Sequence, residues 1–429
     1  MDFEQDIKRN YWWNLGIIAG VDGCWGFGMA FVHQVAIIPA FLDRLGASAV
    51  TIGLLPAVSA IALFTPQLLA AHFTRHLSVK KNVFTVTHYP GTLSLLALAC
   101  LTVRYASTAP AAVMVSTFAW AVLFGLSISF AMPMWLNLMA KLFPAAVRGR
   151  AFGYVWLLNG VLGAAGALCA ERVLGAVTFP WNFAVLFAAS GVILSGCVTS
   201  FFWLREPARV SPDARGTGAF LRDVKGILRS SPDFLWFLAA RFTGTFSMMA
   251  VAFYTVAGLE RYELPSAAAG MFGATLLTAQ VVGSLVGGRL GDTFGFKVLL
   301  VLAPATDIGA GLLAIFAPNP VWYSVVFVLF GLQSSFLMIG GHNLTIEYCP
   351  TEDKTTFVAL ASTILCPAYV FAPLLGGLLA RYHPARYNAV FAVAACCGLL
   401  ALLVTLLKVV EPRRRSAIVA PPAGGRRPC

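Results

Sequence analysis

Charge is what this sequence has least of. Asp, Glu, Lys and Arg make up only 11% of the 429 residues, less than half the roughly 25% with which a water-soluble domain covers its surface. That scarcity excludes a soluble enzyme, a disordered chain and a disulfide-stapled secreted domain. Paired cysteines are missing as well. The nine cysteines include no C-x-x-C spacing and mostly fall in apolar stretches, where a thiol is a small packing group. No phosphate-cradling glycine loop and no metal-ligand spacing occurs, so no cofactor is expected. The predicted outer loops are too short and too poor in His, Asp and Glu for an enzyme site. The opening Met1-Asp2-Phe3-Glu4-Gln5-Asp6-Ile7-Lys8-Arg9 mixes both signs, unlike the basic start of a cleaved signal peptide.

What is present is hydrocarbon. Apolar residues are 59% of the chain and mean hydropathy is +0.80. They gather in stretches of about 20 residues, the length at which a helix crosses a bilayer core of about 30 Å. The pattern predicts an all-α polytopic membrane protein with about twelve spans, near 12–36, 50–71, 83–103, 110–136, 151–173, 182–204, 233–257, 267–290, 298–317, 321–345, 358–380 and 388–410. With the first residue inside, 23 of the 30 Lys and Arg fall on the inner side, 6 on the outer, and Arg241 alone within a span. Basic residues resist translocation, so the net charge of +12 reads as an orientation signal with both termini cytoplasmic, not as a nucleic-acid patch. The expected location is a bacterial inner membrane. The expected organisation is a six-helix bundle over 1–204, a cytoplasmic linker over 205–232 with an amphipathic run at 220–229, a second bundle over 233–410 and a disordered tail over 411–429.

The halves repeat. Asn137-Leu138 with Pro144 recurs as Asn343-Leu344 with Pro350 at an offset of 206, and Ala71 with Lys80 matches Gly288 with Lys297 at an offset of 217. Such repeats are the usual construction of secondary transporters. The run Gly288-Arg289-Leu290-Gly291-Asp292-Thr293-Phe294-Gly295-Phe296-Lys297 resembles the inner-loop signature of the major facilitator superfamily, Gly-x-Leu-x-Asp-x-x-Gly-x-Lys/Arg. The resemblance implies two pseudo-symmetric six-helix bundles around a central cavity that opens alternately to each side. The first-half copy departs from it, with Ala71, Arg75 and Ser78 in place of the two glycines and the acid. That departure motivates a charge-swapped pair of inner latches, Gly288, Asp292, Gly295 and Lys297 facing Arg148 and Arg150, and Arg75 facing Glu352 and Asp353; the alternative is solvated loop charge.

Ionisable groups at bilayer depth are costly and default to function. Asp22, mid-span 1, is the expected proton-responsive acid, and Arg241, mid-span 7, is either its partner or an anchor for an anionic substrate. Asp307, mid-span 9, is a second coupling candidate or a structural hydrogen-bonding group. Trp25, Asn137, Asn159, Gln280, Gln333, His342 and Asn343 sketch a binding cavity, although His342 and Asn343 also suit a helix end. Ala372-Pro373-Leu374-Leu375-Gly376-Gly377 resembles a motif of family antiporters that belongs to span 5, here displaced to span 11. The expected function is secondary active transport of a small organic, possibly anionic, solute by proton symport. The alternatives are proton-coupled efflux of drugs or metabolites, and a transporter-like assembly factor without a transport cycle. The expected partners are a small molecule, protons and the lipid bilayer, not nucleic acid, with the chain acting as a monomer.

Overall fold

The computed structural model describes residues 3–66, 70, 74, 77–143, 145–207, 231–348, 354–383 and 385–412. Arg75, Glu352, Asp353, the run at 220–229 and the tail beyond 412 lie outside them. Among the described residues the chain is helical throughout, with no strand. In hydrocarbon every backbone N–H and C=O must find its partner within the segment, and the helix does this residue by residue.

The helices are α1 (Phe3–Ala30), α2 (Ile37–Arg44), α3 (Ala49–Phe64), α4 (Lys81–Tyr105), α5 (Pro110–Leu142), α6 (Ala145–Ala176) and α7 (Trp181–Thr199) in the first half. In the second half they are α8 (Pro232–Thr245), α9 (Val251–Arg261), α10 (Ala268–Phe294), α11 (Lys297–Phe316), α12 (Pro320–Glu347), α13 (Lys354–Tyr382) and α14 (Arg386–Lys408). Among the described residues ten stretches are long and apolar enough to cross a membrane, and Ala49–Phe64 is a shorter apolar helix. Prolines stand at the starts of α5, α8 and α12, where a missing N–H costs nothing because the first turn has no intrahelical acceptor. The Ser48 hydroxyl caps α3 by accepting from the Thr51 N–H at 3.2 Å.

Two elements differ from the sequence expectation. The stretch 37–44, read as an outer loop, is the helix α2 with Ile37 to Leu42 fully buried. Span 7 is interrupted, because α8 stops at Thr245 and a 3-10 turn over Phe246–Ala250 precedes α9. Hydroxyls engage the backbone at the break. Thr245 Oγ1 donates to the Arg241 carbonyl and Ser247 Oγ to the Gly244 carbonyl, offering the backbone partners other than the helical ones.

One apolar core spans both halves, joining Phe41, Phe183 and Phe187 to Phe253, Phe272 and Phe327. Towards the end where α1 begins and α14 finishes, the terminal face, the core divides. One cluster there holds only first-half residues, from Leu15 to Leu204, and another only second-half residues, from Phe234 to Val409. The halves are therefore joined at the face opposite the termini. The Thr255 hydroxyl donates to the Val35 carbonyl at 2.7 Å, and Arg44 Nε to Ser266 Oγ at 2.8 Å. Along the α3–α13 seam a Cβ on Gly377 would stand 3.0 Å from the Ala49 carbonyl oxygen, and one on Gly53 2.5 Å from that of Pro373. Gly377 of the displaced motif is thus a site of close approach between the halves, while Gly376 packs against Met249 within the second half.

A matched pair of acids stabilises the terminal face. The Glu206 carboxylate, after α7, accepts from the backbone N–H groups of Lys80 and Lys81 at 2.8 and 2.9 Å and from Lys141 Nζ at 2.9 Å. Glu411, after α14, accepts from the Lys297 N–H at 2.7 Å. Each acid caps the helix three spans upstream, where unpaired N–H groups favour an anion.

Candidate functional site

A cavity of about 570 Å³ lies among α1, α4, α5 and α6 and is closed from the second half by α10 and α12. Glycines let α1 and α6 approach closely enough to form its wall, with Gly26 against the Asn159 carbonyl and Gly166 against that of Phe27. Aromatic rings stand on several sides of the wall, including Trp25, Phe84, Phe124, Trp135, Trp156 and Phe201. Trp25 is fixed between two rings, stacked on Phe124 at 6.0 Å and edge-on to His88 at 5.5 Å. The polar lining is Asp22, His33, Gln34, His88, Asn159, Gln280 and Ser334. Asp22 is its one carboxylate, and no Lys or Arg lines it among the described residues.

Asn159 Nδ2 donates to the backbone carbonyl of Asp22 at 2.8 Å. It ties α6 to α1 and leaves the carboxylate to the cavity. No ion pair joins Asp22 to Arg241 among the described residues. Arg241 stands instead inside the second half. Its guanidinium carbon is 3.0 Å from the place a Cβ would take on Gly341 and 5.9 Å from the Phe237 ring centre. Its polar neighbour is the Tyr369 hydroxyl, and its buried Nε has no hydrogen-bond partner.

Of the residues expected in the cavity, the structure brings together Asp22, Trp25, Asn159 and Gln280. It separates the others. His342 Nδ1 and Asn343 Nδ2 bond the carbonyls of Met338 and Ile339, each one turn back on α12, at 2.8 Å; both residues serve their own helix end. Gln333 is buried with Asp307, accepted by that carboxylate at 3.3 Å, and Ser247 Oγ donates to the same oxygen at 2.7 Å. The side chain of Asn137 lies outside the described set.

The cross-bundle contacts expected of the latch fall on side chains outside the described set. The side chains of Arg148 and Arg150, on the first turns of α6, lie outside the described set. Asp292 is exposed on the last turn of α10, and open space surrounds Gly288. Gly295 and the Lys297 N–H serve a cap within the second half. Gly295 has φ +88°, with the Glu411 carboxylate 2.6 Å from where a Cβ would stand. That conformation suits only glycine. Sequence reasoning missed His88, the aromatic box and the capping acids. For the last a signal was available, since Glu206-Pro207 recurs as Glu411-Pro412 at an offset of 205.

The model of the Major Facilitator Superfamily matches residues 23–279 and 259–428. A cis,cis-muconate transport protein from Acinetobacter baylyi is 29% identical over 147 residues, 33% of this chain and 34% of that protein. A probable transporter from Streptomyces coelicolor is 27% identical over 255 residues, 54% and 56% of the two lengths. The chain thus spans between about a third and just over half of these curated relatives. Among solved structures, a D-xylose–proton symporter superposes with a TM-score of 0.74 at 14% identity, covering 94% of this chain and 99% of that one. The nucleoside transporter NupG superposes with a TM-score of 0.67 at 11% identity, covering 92% and 98%. Likeness at such low identity is likeness of fold, and it agrees with the two six-span halves found here. With a family model matched over nearly its whole length, the chain belongs to the Major Facilitator Superfamily.

Proposed function

We propose that the chain is a proton-coupled carrier of a small organic carboxylate with an apolar or aromatic body, working by alternating access in a cytoplasmic membrane with both termini inside. The observation that carries this reading is Arg241, a guanidinium within a membrane span with an unpartnered Nε and no carboxylate paired with it among the described residues. A charge at that depth is costly unless compensated, and a substrate carboxylate is the compensation the site itself omits. Tyr369 beside it supplies an O–H for the second carboxylate oxygen. Arg241 does not line the cavity around Trp25, so in this reading the carboxylate and the apolar body are recognised at two parts of the path, one in each half.

Asp22 is the proton site in this reading. It faces the cavity with no counter-ion among the described residues, so protonation cancels a charge that the solute's anion would otherwise meet. The likeness to a muconate transport protein supports a carboxylate, and symport is the direction in which proton and anion enter together with their charges cancelled.

Purified protein in liposomes tests this with radiolabelled benzoate and cis,cis-muconate as probes. Uptake should follow an inward proton gradient and be lost in Arg241→Gln. In Asp22→Asn, exchange should continue while gradient-driven accumulation disappears. Equal flux in wild type and Arg241→Gln would remove the anion site, and solute export driven by inward protons would replace symport with antiport.

A further inference from the structure

Asp307 lies on α11, away from the cavity, and the proposed carrier mechanism makes no use of it. It is 8% exposed and sits where three elements meet. Ser247, in the 3-10 turn that interrupts span 7, donates to its Oδ2 at 2.7 Å, and Gln333 on α12 donates to the same oxygen at 3.3 Å. On α14, Gly398 faces it, with a would-be Cβ 3.5 Å from the Asp307 Cβ. Tyr254 on α9 is the titratable group whose field reaches it, and no charged side chain pairs with it among the described residues.

The hydroxyl of Ser247 is in position to donate twice, to Asp307 at 2.7 Å and to the Gly244 carbonyl at 2.7 Å. A serine hydroxyl has one proton and two acceptor lone pairs, so only one of these bonds has Ser247 as donor at any moment. If Asp307 is ionised, the proton of Ser247 goes to the carboxylate, and the Gly244 carbonyl at the end of α8 loses it. If Asp307 holds a proton, its own O–H donates to Ser247 Oγ, and the serine proton is free for Gly244. One proton taken from water thus reverses the direction of one hydrogen bond and completes another on the backbone at the break.

We propose that Asp307 is a second proton-binding site, separate from the cavity, whose occupancy tightens or loosens the Phe246–Ala250 break through Ser247. The cavity is connected to it. Ser334, which lines the cavity, donates to Gln333 Oε1 at 3.3 Å and so turns the amide's NH2 towards Asp307. A hydrogen bond to the charged form of an acid favours that form. A solute that takes the Ser334 hydroxyl loosens the amide, which links occupancy of the cavity to occupancy by the proton. The break lies next to Val251–Arg261, the helix that closes on Val35 across the halves, so the site acts on the closure itself.

Hydrogen–deuterium exchange of the full-length protein in lipid nanodiscs, without solute, tests this independently of any carboxylate flux. After correction for intrinsic rates, peptides covering 244–251 should exchange about five-fold more slowly at acid than at alkaline pH, the factor that one hydrogen bond of typical net strength supplies. Asp307→Asn, which cannot titrate, should remove the pH dependence. Ser247→Ala should also abolish the pH dependence, and it decides the matter if Asp307→Asn does not fold. Asp22→Asn should leave it intact. A wild-type segment that is indifferent to pH, or a pH dependence that survives in Ser247→Ala, would overturn the proposal.

Discussion

Glu206 illustrates how one side chain can hold a whole terminus. Its carboxylate is fully buried and accepts two backbone N–H groups and the ammonium of Lys141, itself only 7% exposed. Removing one member of a buried pair leaves the other charge uncompensated and costs about 3–5 kcal/mol. Glu206→Ala is therefore expected to lower the thermal unfolding midpoint markedly in detergent, and Lys141→Met made in addition should restore part of it. If the double variant is no better than the single one, the loss comes from the cap at Lys80 and Lys81 rather than from the orphaned ammonium. Arg241 is the opposite case, a buried charge that no described acid satisfies, which is why it reads as waiting for a ligand where Glu206 reads as architecture.

Among the elements, α2 helps to close the face opposite the termini. Arg44 reaches Ser266 across the joint, and beside it the Asp43 carboxyl is held above its ordinary 3.8, first by burial and then by Glu260 of the other half, with Arg44 and Arg386 opposing. A carboxyl whose value is raised on closure binds its proton more tightly in the closed form. Closure is therefore strengthened as pH falls towards 3.8 through the raised value and weakened as pH rises through it. Spin-label distances between positions 47 and 263 should shorten on acidification, and Asp43→Asn should stay at the short distance throughout. An unchanged pH response in that variant would mean the field at Asp43 has no part in closure. Neither α2 nor the break at Phe246–Ala250 was legible in the sequence. Hydropathy measures how apolar a stretch is, but not where hydroxyls such as Thr245 and Ser247 divert the backbone.

At the scale of the whole molecule, the apolar core is continuous between the halves at one end and divided at the other. A molecule joined in this way should admit solutes to its cavity from the terminal face. Gln280, which lines the cavity from α10, supplies the probe. In oriented vesicles Gln280→Cys should react with a membrane-impermeant thiol reagent applied to the terminal face, and far more slowly from the other side, against the background of the native cysteines. Equal labelling from both faces would mean the joint does not seal. The repeat that was legible as scattered short matches has its physical counterpart here, in two acids, 205 residues apart, that cap equivalent helices.

Composition and periodicity alone determined that this chain is a bundle of membrane-crossing helices in two related halves, because burying backbone in hydrocarbon leaves a sequence so poor in charge no other choice. They also picked out Asp22, Asp307 and Arg241, since an ionisable group stands out against an apolar span. Which of these share a space was decided only in three dimensions. Asp22 faces an aromatic cavity, Asp307 faces a serine at a helix break, and Arg241 faces a tyrosine on another helix. Each outcome depends on helix rotation and on which glycines let two backbones approach, and both are properties of packed pairs that no single helix encodes.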